Sequence, residues 1–99
     1  MSEFFEKCWK ACKRIPKGKV TTYKYLAMAL NSKGYRAVGN AMNKNRNAPI
    51  VPCHRVVASD GSLHGYSFGL KKKKEILKKE GIEVKNSKVV DFEKKLYKF

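Results

Sequence analysis

Apolar residues recur at helical spacing from the start of the chain. Phe5, Cys8, Trp9, Cys12 and Ile15 fall on one face of a helix predicted over 2–14, with Ser2 as its cap and Pro16 and Gly18 as its end. Tyr23, Leu26, Ala27 and Leu30 form a second stripe, which predicts a helix over 23–30 capped by Thr21 or Thr22. Asn31-Ser32-Lys33-Gly34 then reads as a short turn into a third helix over 35–43. Two short helices joined by a glycine-containing turn are the sequence form of a helix-turn-helix, although the same pattern fits any compact helical pair.

The pattern changes after residue 43. The stretch 43–49 is loop chemistry, and Pro49 and Pro52 flank the apolar Ile50-Val51, which predicts an extended, well-positioned loop. Val56-Val57, the turn residues Ser59-Asp60-Gly61-Ser62 and Leu63 predict a strand, a turn and a return strand, the small wing that accompanies such a helix pair. A fourth helix is expected over 69–80, stopped at Gly81, with Leu70, Ile76 and Leu77 on its inner side. Beyond it, Val84, Val89 and Val90 suggest short extended pieces, and Phe92, Leu96 and Phe99 a last helical turn. The expected fold class is mainly α, a winged helix-turn-helix with a short β wing, and the 99 residues make one domain, 1–99.

Charge narrows the partner. With 23 Lys+Arg against 8 Asp+Glu, the formal charge is +15, more than solubility requires, and nucleic acid is the polyanion such an excess fits best. Phosphate contacts from a lysine-rich stretch such as Lys71-Lys72-Lys73-Lys74 position a protein without reading sequence, and the default reading of that stretch is a solvated face. A membrane is the weaker partner: no apolar run approaches the roughly 18–20 residues of a spanning helix, and the N-terminus lacks a charged-then-apolar signal segment. Cys8, Cys12 and Cys53 are an odd number, and the first two stand four apart on a helix face, so a disulfide framework is not expected. The expected compartment is reducing: cytoplasmic and nucleoid-associated, or nuclear. No metal site is expected either, because Cys8, Cys12, His54 and His64 lack the paired short spacings of zinc ligands.

The chemistry concentrates in Pro52-Cys53-His54-Arg55-Val56-Val57. A thiolate is the natural nucleophile toward a soft alkyl carbon, and it leaves a stable thioether. His54 and Arg55 would favour ionisation of Cys53, while the alternative is a buried cysteine acting as a small hydrophobe. In an extended segment neighbouring side chains point to opposite faces, so Cys53 and His54 need a turn or a bridging water to communicate, and a carboxylate to orient the imidazole.

Taken together with Ile15-Pro16-Lys17-Gly18-Lys19-Val20-Thr21-Thr22-Tyr23, Tyr35-Arg36-Ala37-Val38-Gly39, Asn45, Gly65-Tyr66-Ser67, Gly69-Leu70 and Glu80-Gly81, this hexapeptide resembles the methylated-DNA–protein-cysteine methyltransferases, the O6-alkylguanine-DNA alkyltransferases. The resemblance runs through nearly the whole chain in order. It implies the C-terminal catalytic domain of that family, a winged helix-turn-helix, without the N-terminal domain many members carry.

On that resemblance Cys53 would accept the alkyl group from O6 of guanine, and His54 with Glu80 would complete a relay through a water to the thiol. Tyr23 would donate its hydroxyl to the leaving guanine, and Asn45 would brace the active-site loop against the recognition helix. Arg36 would enter the duplex in place of the flipped nucleotide, a step required because O6 is inaccessible in a stacked helix. Tyr35, Ala37, Gly39 and Thr22 would meet DNA beside it, with Ala37 and Gly39 small enough for close backbone approach. Met42, Val56, Tyr66 and Ser67 would line the base pocket. No cofactor is implied, and the expected partner is double-stranded DNA containing O6-alkylguanine, bound by a monomer.

Two other functions fit parts of the pattern. One is a lesion-binding protein of the alkyltransferase-like group, which lacks the acceptor cysteine and recruits other factors; the presence of Cys53 speaks against it. The other is a plain winged-helix regulator, for which charge and helix pair suffice but Pro52-Cys53-His54-Arg55 stays unexplained.

Overall fold

The computed structural model describes residues 3–32, 34–45, 50–63, 66 and 69–99. Within them the chain is mainly helical with short strands. Helix α1 (Glu3–Cys12) packs on α3 (Tyr35–Asn43), and α2 (Tyr23–Ala29) on both, so the expected helix pair is present as α2 and α3. Trp9 donates its indole N–H to the Ala41 carbonyl at 2.8 Å, tying the inner face of α1 to α3. The cap expected at Ser2 lies outside the described residues. Thr22 does cap α2, its hydroxyl accepting from the Tyr25 N–H at 3.0 Å.

Strand β1 (Thr21–Thr22) pairs in parallel with β2 (Val56–Val57), Thr21 opposite Val56 and Thr22 opposite Val57. This differs from the expected wing, in which Val56-Val57 would turn back on Leu63. The turn does form, with the Ala58 N–H on the Ser62 carbonyl at 2.9 Å, and among the described residues Ser62 bridges Lys88. The hairpin is instead β3 (Val84–Lys85) with β4 (Lys88–Val89), turned by Asn86 and Ser87 at φ 52° and 60°. Two successive positive φ values make the tight turn whose twist suits a hairpin. A single turn, α5 (Phe92–Lys95), follows, and Leu96 then bridges Val20 on the free side of β1.

Helix α4 (Leu70–Lys79) begins after Gly69 at φ 94° and ends with a paired carbonyl closure. The Ile82 N–H reaches the Leu77 carbonyl and the Gly81 N–H the Lys78 carbonyl, both at 3.0 Å, with Gly81 at φ 86°. That closure packs Ile82 on Leu77 and leaves Glu80 as the capping residue, fixed in direction. Leu70, expected on the inner side, is 44% exposed; Lys73 and Leu77 are the buried residues of this helix.

Two apolar clusters result. One joins α1, α2 and α3 to Val51, Cys53 and Val56; the other gathers Val20, Val57, Leu63, Leu77, Ile82 and Val89 beneath α4 and the hairpin. The segment 53–57 runs from the first into the second.

Candidate active site

Residues Cys53–Arg55 form one turn of 3-10 helix, made where Pro52 precedes and β2 follows. The Cys53 N–H bonds the Val51 carbonyl at 2.8 Å and the Arg55 N–H the Pro52 carbonyl at 2.9 Å. This is the turn that adjacent Cys and His side chains require in order to act together. Cys53 is buried at 3% exposure and His54 is wholly buried.

Glu80 reaches this turn from the end of α4. Its Oε1 lies 3.0 Å from His54 Nε2. A carboxylate only accepts, so Nε2 carries the proton and Nδ1 is the basic nitrogen. Nδ1 is buried and has no hydrogen-bond partner among the described residues. Burial lowers the His54 pKa, with Glu80 acting the other way, so the ring is a neutral base at rest.

Arg55 clamps the same carboxylate. Its Nε donates to Oε1 at 2.9 Å and Nη2 to Oε2 at 2.6 Å, while Nη1 donates to the Ile15 carbonyl at 2.7 Å. The sequence suggested Arg55 as a promoter of the thiolate; the structure gives its charge to Glu80. Partial burial works against the Glu80 charge, and the Arg55 guanidinium and His54 overcome it, holding the carboxyl below the usual range. A carboxylate at a helix C-terminus faces the negative end of the dipole, so the bidentate clamp offsets an unfavourable position.

Asn45 follows the last turn of α3 and is 1% exposed. Its Nδ2 donates to the Val51 carbonyl at 2.9 Å and to Cys53 Sγ at 3.2 Å. Burial raises the Cys53 pKa; the Asn45 N–H, the Lys73 charge, its own backbone N–H and the Tyr66 hydroxyl pull it down without cancelling the rise. The resting group is therefore a thiol, and the anion forms only when a base takes its proton. Burial lifts Tyr23 and Tyr66 to about 12, with the Cys53 sulfur adding to it, so both hydroxyls are donors at neutral pH. Cys8 and Cys12 are buried free thiols with raised pKa values, which makes them inert beside Cys53.

The structure thus brings Cys53, His54, Glu80, Asn45, Tyr23 and Tyr66 to one place. Ser67 lies outside the described residues. Met42 and Val56 are at most 4% exposed and pack within the first cluster, so they are core rather than lining of an open pocket. Thr22 is also corrected: it is 2% exposed and its hydroxyl caps α2, which leaves no side chain to meet DNA. On α3 the outward face carries Tyr35, Arg36 and Asn40, with Ala37 and Gly39 half-buried. A Cβ built at Gly39 meets nothing within 4 Å among the described residues, so internal packing among them does not require a glycine there.

Sequence reasoning missed Lys73, read as part of a solvated lysine face. It is wholly buried, and its Nζ donates to the carbonyls of Val56 at 2.8 Å and Leu63 at 2.6 Å. The signal was positional, since 73 stands four residues before the inner Leu77.

The family model of the 6-O-methylguanine DNA methyltransferase DNA-binding domain matches residues 3–82. The domain matched is described by DNA binding, where the sequence reading expected the C-terminal catalytic domain; a catalytic role therefore rests on the site itself. The chain is 48% identical over 80 residues to the methylated-DNA–protein-cysteine methyltransferase of Methanosarcina barkeri, covering 80% of this chain and 51% of that protein. It spans about half the length of the curated relatives it matches. Among solved structures it is similar to Mycobacterium tuberculosis OGT in complex with DNA, at TM-score 0.78 and 38% identity over 81% of this chain and 50% of that one. It is also similar to S. pombe Atl1 in complex with damaged DNA containing O6-carboxymethylguanine, at TM-score 0.84 and 31% identity over 100% of this chain and 98% of that one.

Proposed function

This chain belongs to the 6-O-methylguanine DNA methyltransferase family, and from that premise we propose that it repairs O6-alkylguanine in double-stranded DNA by taking the alkyl group onto Cys53, once and irreversibly. The observation that carries this reading is the buried Nδ1 of His54, without a hydrogen-bond partner among the described residues, on a neutral imidazole whose other nitrogen is committed to Glu80. A water bridging the Cys53 thiol to Nδ1 gives that nitrogen its partner and the thiol its base.

The sulfur lone pair attacks the alkyl carbon as the thiol proton passes to His54. The C–O6 bond breaks with its electrons on guanine, which takes up a proton, with the Tyr23 hydroxyl as the donor. Tyr23 regains its proton from solvent as His54 releases the one it took from sulfur, so in sum one proton leaves sulfur, one reaches guanine and no further reactant is consumed. The thioether has no good leaving group, and the protein is spent. Tyr35, Arg36, Ala37 and Gly39 on the outer face of α3 meet the duplex, Arg36 filling the stack when the target base is flipped. The chain acts as a monomer and as a single unit, on cytoplasmic or nuclear DNA. No helix among the described residues is long and apolar enough to cross a membrane.

A second reading is lesion binding without transfer, favoured by the full-length likeness to S. pombe Atl1. The two separate on a duplex whose O6-methyl group is labelled. Transfer predicts one equivalent of label on the wild-type protein and none on Cys53→Ala, which still binds the duplex. Unlabelled wild-type protein that binds the lesion supports the second reading instead.

A further inference from the structure

A pair of short strands is marginal by itself in water, and β1 with β2 is such a pair. Yet Val20, Thr21 and Thr22 are all buried. The end of the chain encloses them. On the free side of β1 the Val20 N–H donates to the Lys95 carbonyl at 2.9 Å and the Tyr97 N–H to the Val20 carbonyl at 2.6 Å, which sets Leu96 beside Val20 in parallel. The Thr21 hydroxyl donates to the Tyr97 carbonyl at 2.8 Å, and Lys19 Nζ to the Lys94 carbonyl at 2.9 Å. Tyr97 and Phe99 then pack against the cluster that contains Cys53, and the Arg14 guanidinium lies 5.2 Å from the centre of the Phe99 ring. The stretch 95–97 is thus a third strand, and β1 is the middle one.

This arrangement relates two parts of the acceptor site. Tyr23 is the residue that follows β1, and its ring packs against the same cluster as Cys53. The Cys53–Arg55 turn runs directly into β2, the partner of β1. One short pairing therefore joins the strand that leads to the hydroxyl with the strand that leaves the sulfur. The tail closes the other edge of that pairing. The family match ends at residue 82, so residues 95–97 lie outside it.

We propose that Lys95, Leu96 and Tyr97 form a positioning strand, which holds β1 so that the Tyr23 hydroxyl stays placed to protonate the guanine that Cys53 displaces. This rests on the alkyl-transfer reading, in which Tyr23 is the acid. An acid moved by about an ångström can lose up to about 10²-fold in rate. The sulfur is held separately, by the Asn45 amide and by the bond from the Cys53 N–H to the Val51 carbonyl, so its own reactivity does not depend on the tail.

The test removes single bonds of the third strand in the full chain. Tyr97→Pro deletes the N–H that reaches the Val20 carbonyl, and Thr21→Val the hydroxyl that reaches the Tyr97 carbonyl; each is made alone and together with Tyr23→Phe. Two rates are measured for each protein, methyl transfer from free O6-methylguanine and alkylation of Cys53 by iodoacetamide. Iodide leaves without a proton, so the second reaction needs no acid. With Tyr23 present, Tyr97→Pro should slow methyl transfer about tenfold and Thr21→Val about threefold, whereas beside Tyr23→Phe neither should slow it by more than about twofold further. The iodoacetamide rate should stay within about twofold of wild type throughout. Equal slowing with and without the Tyr23 hydroxyl, an iodoacetamide rate that falls with the transfer rate, or unchanged transfer in both variants overturns the proposal. Loss of folding in both, read by thermal melts, makes the strand a scaffold only and overturns it too. A wild-type protein that takes no methyl group overturns the transfer reading and this role with it, whereas a methylated wild type with additive losses removes the role alone.

Discussion

Asn45 donates one amide hydrogen to Cys53 Sγ at 3.2 Å and another to the Val51 carbonyl at 2.9 Å. Asn45 stands two residues beyond α3, whose outer face carries Arg36, so a single side chain joins the end of that helix to Cys53 and to the Val51 carbonyl just before the Cys53 turn.

Replacing it tests that connection. Asn45→Ala leaves the Val51 carbonyl buried without this donor, at about 1–3 kcal/mol, which in a domain of this size lowers the melting temperature by several degrees. The variant should also lose reactivity at Cys53, because the sulfur anion loses a donor. Unchanged melting and unchanged transfer rate would remove Asn45 from both roles.

Glu80 sets the tautomer of His54. Glu80→Gln should slow transfer by roughly 10²-fold for duplex and for free O6-methylguanine alike, with duplex affinity unchanged. The same residue shapes acid stability. Its folded pKa is depressed, so its contribution is present above the unfolded value and lost as pH falls through the folded one. The difference in melting temperature between wild type and Glu80→Gln should therefore shrink below about pH 4.5. A gap that stays constant into acid would mean the clamp with Arg55 contributes nothing to folding.

Arg36 is exposed on α3. Arg36→Ala should melt like the wild type and react normally with free O6-methylguanine, yet repair duplex DNA more slowly, since only the duplex requires unstacking. Single-turnover rates on the two substrates decide it; equal losses on both would remove the extrusion role.

Much of this architecture is legible from the chain because local signals agree. The third helix falls at 35–43 as its apolar Val38, Ala41 and Met42 dictate, and Gly81 stops the fourth by a backbone angle that glycine adopts without strain. The parallel pairing of Thr21-Thr22 with Val56-Val57 was not legible. Two residues carry no periodicity, and threonines before a helix read first as caps. Ser59-Asp60-Gly61-Ser62 likewise signals a turn without saying which segment pairs beside it; the Leu63 N–H donates to the Ser87 carbonyl of the later hairpin. Within the site, motif order led to Cys53, His54, Asn45 and Glu80, which the fold assembles from three separate elements. Arg55 and Lys73 escaped because charge along a sequence does not reveal which cation is turned inward, and a run of four lysines conceals the one that is buried.

The central claim is that Cys53 is an alkyl acceptor, and intact-mass measurement with peptide mapping tests it most directly. After incubation with excess duplex containing O6-methylguanine, the protein should gain one methyl group, on the peptide carrying Cys53, with repaired duplex equal to the protein supplied. Methyl on Cys8 or Cys12, repaired duplex in excess of protein, or an unmodified protein bound to an unrepaired lesion would contradict it.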